Sequence, residues 1–190
     1  MFQKVLVAED IDSINLAVSG LLRDLGIPRV EHAQYCDEAW LLAKKALKEG
    51  EPFDLLICDL SFKEDHRTES FSSGMELIYA LKKEDPALRV LVNTIEDHPQ
   101  MVRNLWEAGI DGYVLKDRHG MHDLREAILA VNSGGKYNSA HIENLLKEDN
   151  ILILGDWEME LLKGIATGYT QDEIRDDFKN RQISPNSRSS

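Results

Sequence analysis

The chain has 190 residues, 22 of them basic and 34 acidic, for a net charge of −12 with histidine neutral. At roughly 150 residues per domain this allows one domain and a smaller second one, and the acidity excludes a chain-wide binder of nucleic acid or anionic membrane while leaving room for a small basic patch. A 43% hydrophobic, 29% charged composition excludes a disordered chain, and two cysteines exclude a disulfide framework or a four-thiolate zinc site. No apolar run approaches the ~18 residues of a membrane span, and the opening MFQKVLVAED is too short in apolar residues for a signal peptide. A cytoplasmic location with no membrane partner is expected.

Lys4–Ala8 (KVLVA) is an apolar run that ends in Glu9 and Asp10. Ile14, Ala17, Val18, Leu21, Leu22 and Leu25 then fall at helical spacing, and Gly26 followed by Pro28 stops the helix. Arg29–Ala33 is a short, weak strand candidate, and Cys36, Ala39, Trp40, Ala43 and Leu47 stripe a second helix closed by Gly50. Asp54–Leu60 (DLLICDL) is a third apolar run, Met75–Leu81 a helix, and Arg89–Asn93 (RVLVN) a strand. Pro99–Ala108 carries proline at its start and Gly109 after its end, the usual helix asymmetry. Gly112–Leu115 (GYVL) is a strand, and Leu124, Ala127, Ile128 and Val131 stripe a helix stopped at Ser133-Gly134-Gly135. These are five strand-then-helix units. Continuously apolar strands are buried on both faces, so the spacing predicts an α/β fold, a five-stranded parallel sheet with helices on both sides. Right-handed crossovers leave few topologies, and five units suit the doubly wound strand order 2-1-3-4-5.

In such sheets chemistry sits at the carboxyl ends of the strands. There the sequence places Glu9 and Asp10, Asp59, Asn93 and Thr94, and Lys116. Clustered carboxylates repel unless a cation joins them, and Mg²⁺ takes one or two carboxylates with carbonyls and waters. An aspartate beside Mg²⁺ can attack phosphorus, and the metal, a lysine and a hydroxyl can each hold an oxygen of the transferred group. Taken singly, each residue has an ordinary structural account. Acids after a strand favour the next helix dipole, Asp59 can cap a helix, Lys116 can be a surface charge, Thr94 a turn residue and Tyr113 core. Cys58 and Cys36 read as buried strand and helix residues. The six histidines show no ligand spacing and read as structural or exposed.

VLVAED, LLICDL, VLVNT and GYVLKD, in this order over roughly residues 1–133, resemble the receiver domain of two-component response regulators. The resemblance implies a flavodoxin-like fold, with Asp59 as phosphoacceptor and Glu9 and Asp10 as the acidic pair at the Mg²⁺ site. It also implies the backbone carbonyl of Ser61 as a further metal ligand, beside Asp59 itself. Thr94 matches the hydroxyl that meets the phosphoryl group, Lys116 the family lysine, and Tyr113 the aromatic switch. Asp117 after the lysine and Gly134-Gly135-Lys136-Tyr137 are similar to the NarL/LuxR-type subfamily. The stretch SFKEDHRTESFSS between the acceptor and Gly74 is longer than the family's usual loop, and its polarity predicts a surface loop beside the site.

Residues 134–153 read as a linker with a short helical piece at His141–Lys147. From 154 the pattern changes: Trp157, Leu161, Leu162 and Ile165 stripe one helix, Thr170-Gln171-Asp172-Glu173 is a capping box, and Ser184-Pro185 opens a third helix. Residues 154–190 resemble a partial LuxR-type helix-turn-helix. Its recognition helix would begin near Pro185 while the chain stops at Ser190, so the segment is expected to be truncated within that module. Residues 151–190 hold five basic and seven acidic side chains, whereas phosphate contacts want net positive charge.

The expectation is therefore a phosphoreceiver, not a turnover enzyme. A sensor histidine kinase or phosphotransfer protein would supply the phosphoryl group, with phosphorylation-dependent homodimerisation and transcriptional output through DNA. The charge and the short recognition helix argue against DNA binding by this chain itself. The alternative is a single-domain receiver acting by protein contact or as a phosphate shuttle. A third reading, an aspartate-nucleophile phosphatase of the haloacid dehalogenase type, wants a second aspartate where this chain has Ser61.

Overall fold

The computed structural model describes residues 1–63 and 70–151, so the expected segment 154–190 lies outside the described residues. Met1–Leu146 form one compact unit. Its elements alternate: β1 (Lys4–Ala8), α1 (Asp12–Asp24), β2 (Arg29–Ala33), α2 (Cys36–Lys48), β3 (Leu55–Cys58) and α3 (Gly74–Glu84) are followed by β4 (Arg89–Thr94), α4 (Pro99–Glu107), β5 (Gly112–Leu115) and α5 (Gly120–Asn132). Two further elements follow, β6 (Tyr137–Asn138) and α6 (Ala140–Ile151). All strand pairs are parallel, in the order β2-β1-β3-β4-β5-β6.

The period-two alternation of a strand sends neighbouring side chains to opposite faces, and here both faces are core. Val5, Val7, Leu55, Ile57, Leu91 and Val114 pack against Val18 and Leu22 of α1 and Leu124, Ile128 and Val131 of α5. Leu6, Ala8, Leu56, Cys58, Val90, Val92 and Tyr113 pack on the other side against α2, α3 and α4. This is why β1 and β3 read as unbroken apolar runs. β2 is one edge of the sheet, and its Arg29 is exposed, a charge of the kind that discourages pairing with another chain.

The sheet has six strands where periodicity predicts five. β6 is two residues long and pairs with β5 through Gly112↔Tyr137 and Tyr113↔Asn138. Backbone bonds from Tyr137 to Asp111 (3.1 Å) and from Ser139 to Tyr113 (3.0 Å) flank it, and the indole N–H of Trp106 on α4 donates to Asn138 Oδ1 at 3.2 Å. Gly112 makes the approach possible. A Cβ there would meet Leu91 Cδ2 at 2.5 Å and the Tyr137 carbonyl at 3.0 Å. Two residues carry no period that a sequence could display, which is why the stretch from 134 reads as linker. In the structure it supplies β6 and then α6, whose Ile142 is fully buried in the core with Leu146 packed beside it. Among the described residues no helix is long and apolar enough to cross a membrane.

Because Ile142 is a core residue, Ile142→Ala is expected to cost about 2–5 kcal/mol of stability in urea denaturation. A residue of a free linker would cost about 0.5 kcal/mol or less.

Candidate functional site

Four adjacent parallel strands end on one rim. β1 delivers Glu9 and Asp10, β3 delivers Asp59, β4 ends in Thr94, and β5 delivers Lys116. The register holds them level, with Ala8 opposite Cys58 and Thr94 opposite Leu115.

Glu9 and Asp59 are 2% and 4% exposed, an unfavourable place for carboxylates without partners. Lys116 meets both: its Nζ lies 2.6 Å from Glu9 Oε2 and forms a short ion pair with Asp59 Oδ2. The other Asp59 oxygen accepts from the amides of Leu60 (2.6 Å) and Ser61 (3.3 Å), and Glu9 Oε1 accepts from the Ile11 amide at 3.3 Å. Asp10 is half-buried, and its Oδ2 accepts from the Lys63 amide at 2.9 Å. Glu9, Asp10 and Asp59 each offer one oxygen within 4.8 Å of the others. Burial pushes the Glu9 carboxyl above its ordinary pKa. Lys116 pulls it back, and the neighbouring Asp59 charge adds to the rise.

The backbone of Asp59 is held from α3. A Cβ on Gly74, the first residue of that helix, would lie 1.8 Å from the Asp59 carbonyl oxygen, so no larger residue fits without moving the acceptor. Ser73 caps the helix through its hydroxyl. The loop that reaches this point is anchored at its described ends. Phe71 packs on Trp40 with ring centroids 5.4 Å apart, and the Ser70 amide donates to Asp37 Oδ2 at 2.8 Å.

Thr94 is fully buried. Its hydroxyl accepts weakly from the Glu96 amide at 3.4 Å and its carbonyl accepts from the Lys116 amide at 2.8 Å. Tyr113, also fully buried, does not reach the carboxylates; its hydroxyl donates to the Glu96 carbonyl at 2.9 Å. Burial, then the charges of Glu96, Asp97 and Asp59, push that phenol well above its ordinary pKa. Ser61 donates its hydroxyl to Glu96 Oε1 at 2.9 Å. Glu96 is thus a junction that sequence reasoning missed, joining the acceptor loop to Tyr113. In the string IEDH it looks like any surface acid, and no spacing rule singles it out. The Lys63 amide was missed because a backbone donor leaves no mark in a sequence.

A doubly wound parallel sheet with a carboxylate pocket at the carboxyl rim of its strands fits a signalling receiver, an architecture that other folds of this class share. Residues 5–129 match the family described as the response regulator receiver domain, and the chain belongs to that family. Members are phosphoacceptors rather than turnover enzymes, and membership implies phosphorylation-dependent signalling. The chain is 36% identical over 126 residues to the nitrate/nitrite response regulator protein homolog of Haemophilus influenzae, covering 64% of this chain and 57% of that one. It is 30% identical over 125 residues to the transcriptional regulatory protein RcsB of Escherichia coli K12, covering 63% and 56%. The match thus spans little over half the length of these relatives. Among solved structures it is similar to a LuxR-family two-component response regulator from Aurantimonas sp. SI85-9A1, with TM-score 0.67 and 22% identity over 80% of this chain and 99% of that one. A structure of two RcsB dimers bound to two parallel DNAs gives TM-score 0.65 and 25% identity over 93% and 83%. The Aurantimonas likeness speaks to fold alone.

The raised Glu9 pKa has a consequence for stability. Between the ordinary value of 4.5 and the raised one, the folded state holds more proton than the unfolded state, so stability falls as pH rises through that window. Keeping Glu9 ionised therefore costs stability at pH 7. In metal-free buffer Glu9→Gln is expected to melt at a higher temperature than wild type at pH 7, with the advantage shrinking as pH falls to 4.5; thermal melts across this range check it.

Proposed function

We propose that Asp59 accepts a phosphoryl group with Mg²⁺ bound in the pocket of Glu9, Asp10 and Asp59. The observation that supports this best is the pocket's charge and spacing. Among the described residues, three carboxylates lie within 4.8 Å of one another and Lys116 is ion-paired to two of them, an excess of two negative charges. A divalent cation with oxygen ligands suits that donor set, with the Ser61 carbonyl as a further ligand. Mg²⁺, when bound, supplies charge neutralisation between the Asp59 carboxylate and the incoming phosphoryl oxygens.

The donor would be a phosphohistidine of a sensor kinase or phosphotransfer protein. An Asp59 carboxylate oxygen forms the bond to phosphorus as the P–N bond breaks; the imidazole keeps the electron pair and takes a proton from solvent. Lys116 would shift its ammonium from Asp59 to a phosphoryl oxygen, and the Thr94 hydroxyl would donate to another. Thr94's movement would free the Glu96 segment, and Tyr113, tied to it by one hydrogen bond, would follow. The repacked surface around α4, β5 and α5 would then carry homodimerisation, a two-state element biased by a local charge event. Regulation of transcription in the cytoplasm would follow through a LuxR-type DNA-binding output, which residues 154–190 resemble in part. The second reading, a receiver acting by protein contact alone, is favoured by the net negative charge of residues 151–190.

Acetyl phosphate treatment followed by intact-mass measurement tests the chemistry. A gain of one phosphoryl group that requires Mg²⁺ and vanishes in Asp59→Asn is expected; no gain in wild type refutes the assignment. Sequence-specific DNA retardation by this chain at moderate salt would refute the contact-only reading.

A further inference from the structure

Beneath the acidic pair lies a second layer of polar contacts that takes no part in the proposed transfer. The Glu9 amide extends the β1–β2 ladder by donating to the Ala33 carbonyl at 3.0 Å. The Glu9 carbonyl, by contrast, accepts from a side chain: Asn15 Nδ2, in the first turn of α1, donates to it at 2.7 Å. The peptide so held is the one that joins Glu9 to Asp10, and its plane sets the direction in which both carboxylates leave the strand.

Asn15 is itself oriented. With Nδ2 on the Glu9 carbonyl, Oδ1 must face the other way, and it lies 3.1 Å from His32 Nδ1 on β2. An amide oxygen only accepts, so the ring proton sits on Nδ1. The second ring nitrogen, Nε2, lies 3.0 Å from Ser19 Oγ; that hydroxyl donates its one proton to the Asn15 carbonyl at 2.7 Å, so the fixed hydrogen bond of the ring is the one from Nδ1 to Asn15. Partial desolvation of the ring lowers the His32 pKa from its ordinary value, in keeping with a neutral ring with one proton to place. One network thus joins edge strand β2, helix α1 and the turn that carries Glu9 and Asp10.

We propose that Asn15 is a positioning residue for the cation pocket, holding the Glu9–Asp10 peptide so that both carboxylates face Asp59, and that His32 acts through Asn15 by fixing its amide. This rests on the pocket being a divalent-cation site. Losing the Asn15 donor removes one net hydrogen bond from the cation-competent arrangement, an effect of about five-fold in affinity. His32 is more exposed and acts at one remove, so its loss is expected to cost about two-fold.

The test is Mg²⁺ titration calorimetry on the full chain, with wild type, Asn15→Leu, His32→Leu and the double variant, alongside metal-free thermal melts. The expected result is a Mg²⁺ Kd raised about five-fold in Asn15→Leu and about two-fold in His32→Leu, with the double variant no weaker than Asn15→Leu, because a residue acting through another adds nothing once the other is gone. A purely structural contact would lower the melting temperature and leave the Kd unchanged, and that result overturns the proposal, as does full additivity. If Asn15→Leu does not fold, His32→Leu decides: a raised Kd there supports the proposal and an unchanged Kd overturns it. Wild type that binds no Mg²⁺ overturns the pocket assignment and this inference with it, whereas wild-type binding that is indifferent to Asn15 overturns this inference alone.

Discussion

The ammonium of Lys116 lies between two carboxylates that the fold has taken out of water. Glu9 and Asp59 are almost fully buried, and with Asp10 they bring ligand oxygens within 4.8 Å of one another. At that separation, with an effective dielectric near 20, two like charges repel by about 3–4 kcal/mol, and desolvation adds to the cost. Lys116 offsets part of both, and the upward pull on the Glu9 carboxyl records that the compensation is incomplete. Such a site is retained at the expense of stability, the usual mark of a place where function outweighs packing. Its location follows from the sheet. β1 and β3 are buried on both faces, so a charged group can reach solvent or a ligand only where the strands end.

The rim is wired to the rest of the unit through the segment after β4. Glu96 accepts from Ser61 through its carboxylate and from Tyr113 through its carbonyl, while Asp97 faces His141 of α6 at 3.2 Å. The backbone of Tyr113 is paired with Asn138 of β6, and Trp106 of α4 holds the Asn138 side chain. The acceptor loop, the aromatic residue, the sixth strand and α6 therefore share one set of contacts. A displacement of the Glu96 segment would be felt by each of them, and α6 is the element that leads into the chain beyond residue 147.

Much of this is legible in the sequence because it follows from simple periods. KVLVA, RVEHA and GYVL occupy β1, β2 and β5 with the bounds that apolar runs and breakers predict. The charges at the carboxyl ends of β1, β3 and β5 are identifiable from the apolar runs alone, because strand ends are where such sheets place chemistry. Features with no period stay hidden. β6 is two residues that count as a strand only because Gly112 lets them close on β5. Ile142 is core only because that strand turns α6 back onto the unit. Gly74 is required by the Asp59 carbonyl that happens to lie above it.

The sequence by itself determined the class of fold and the residues that end its first five strands, which follow from local hydrophobic pattern, and five strand-helix units suit the 2-1-3-4-5 order that those strands take; the sixth strand was not in it. The tertiary structure alone decided the pairings: Lys116 between Glu9 and Asp59, Glu96 between Ser61 and Tyr113, and Asn15 between the Glu9 carbonyl and His32. Most of these contacts join groups far apart in the chain, and even the Asn15–Glu9 bond, six residues apart, crosses from a strand end to a helix. Their existence depends on distances of a few ångström, which packing sets and which no spacing along the sequence encodes.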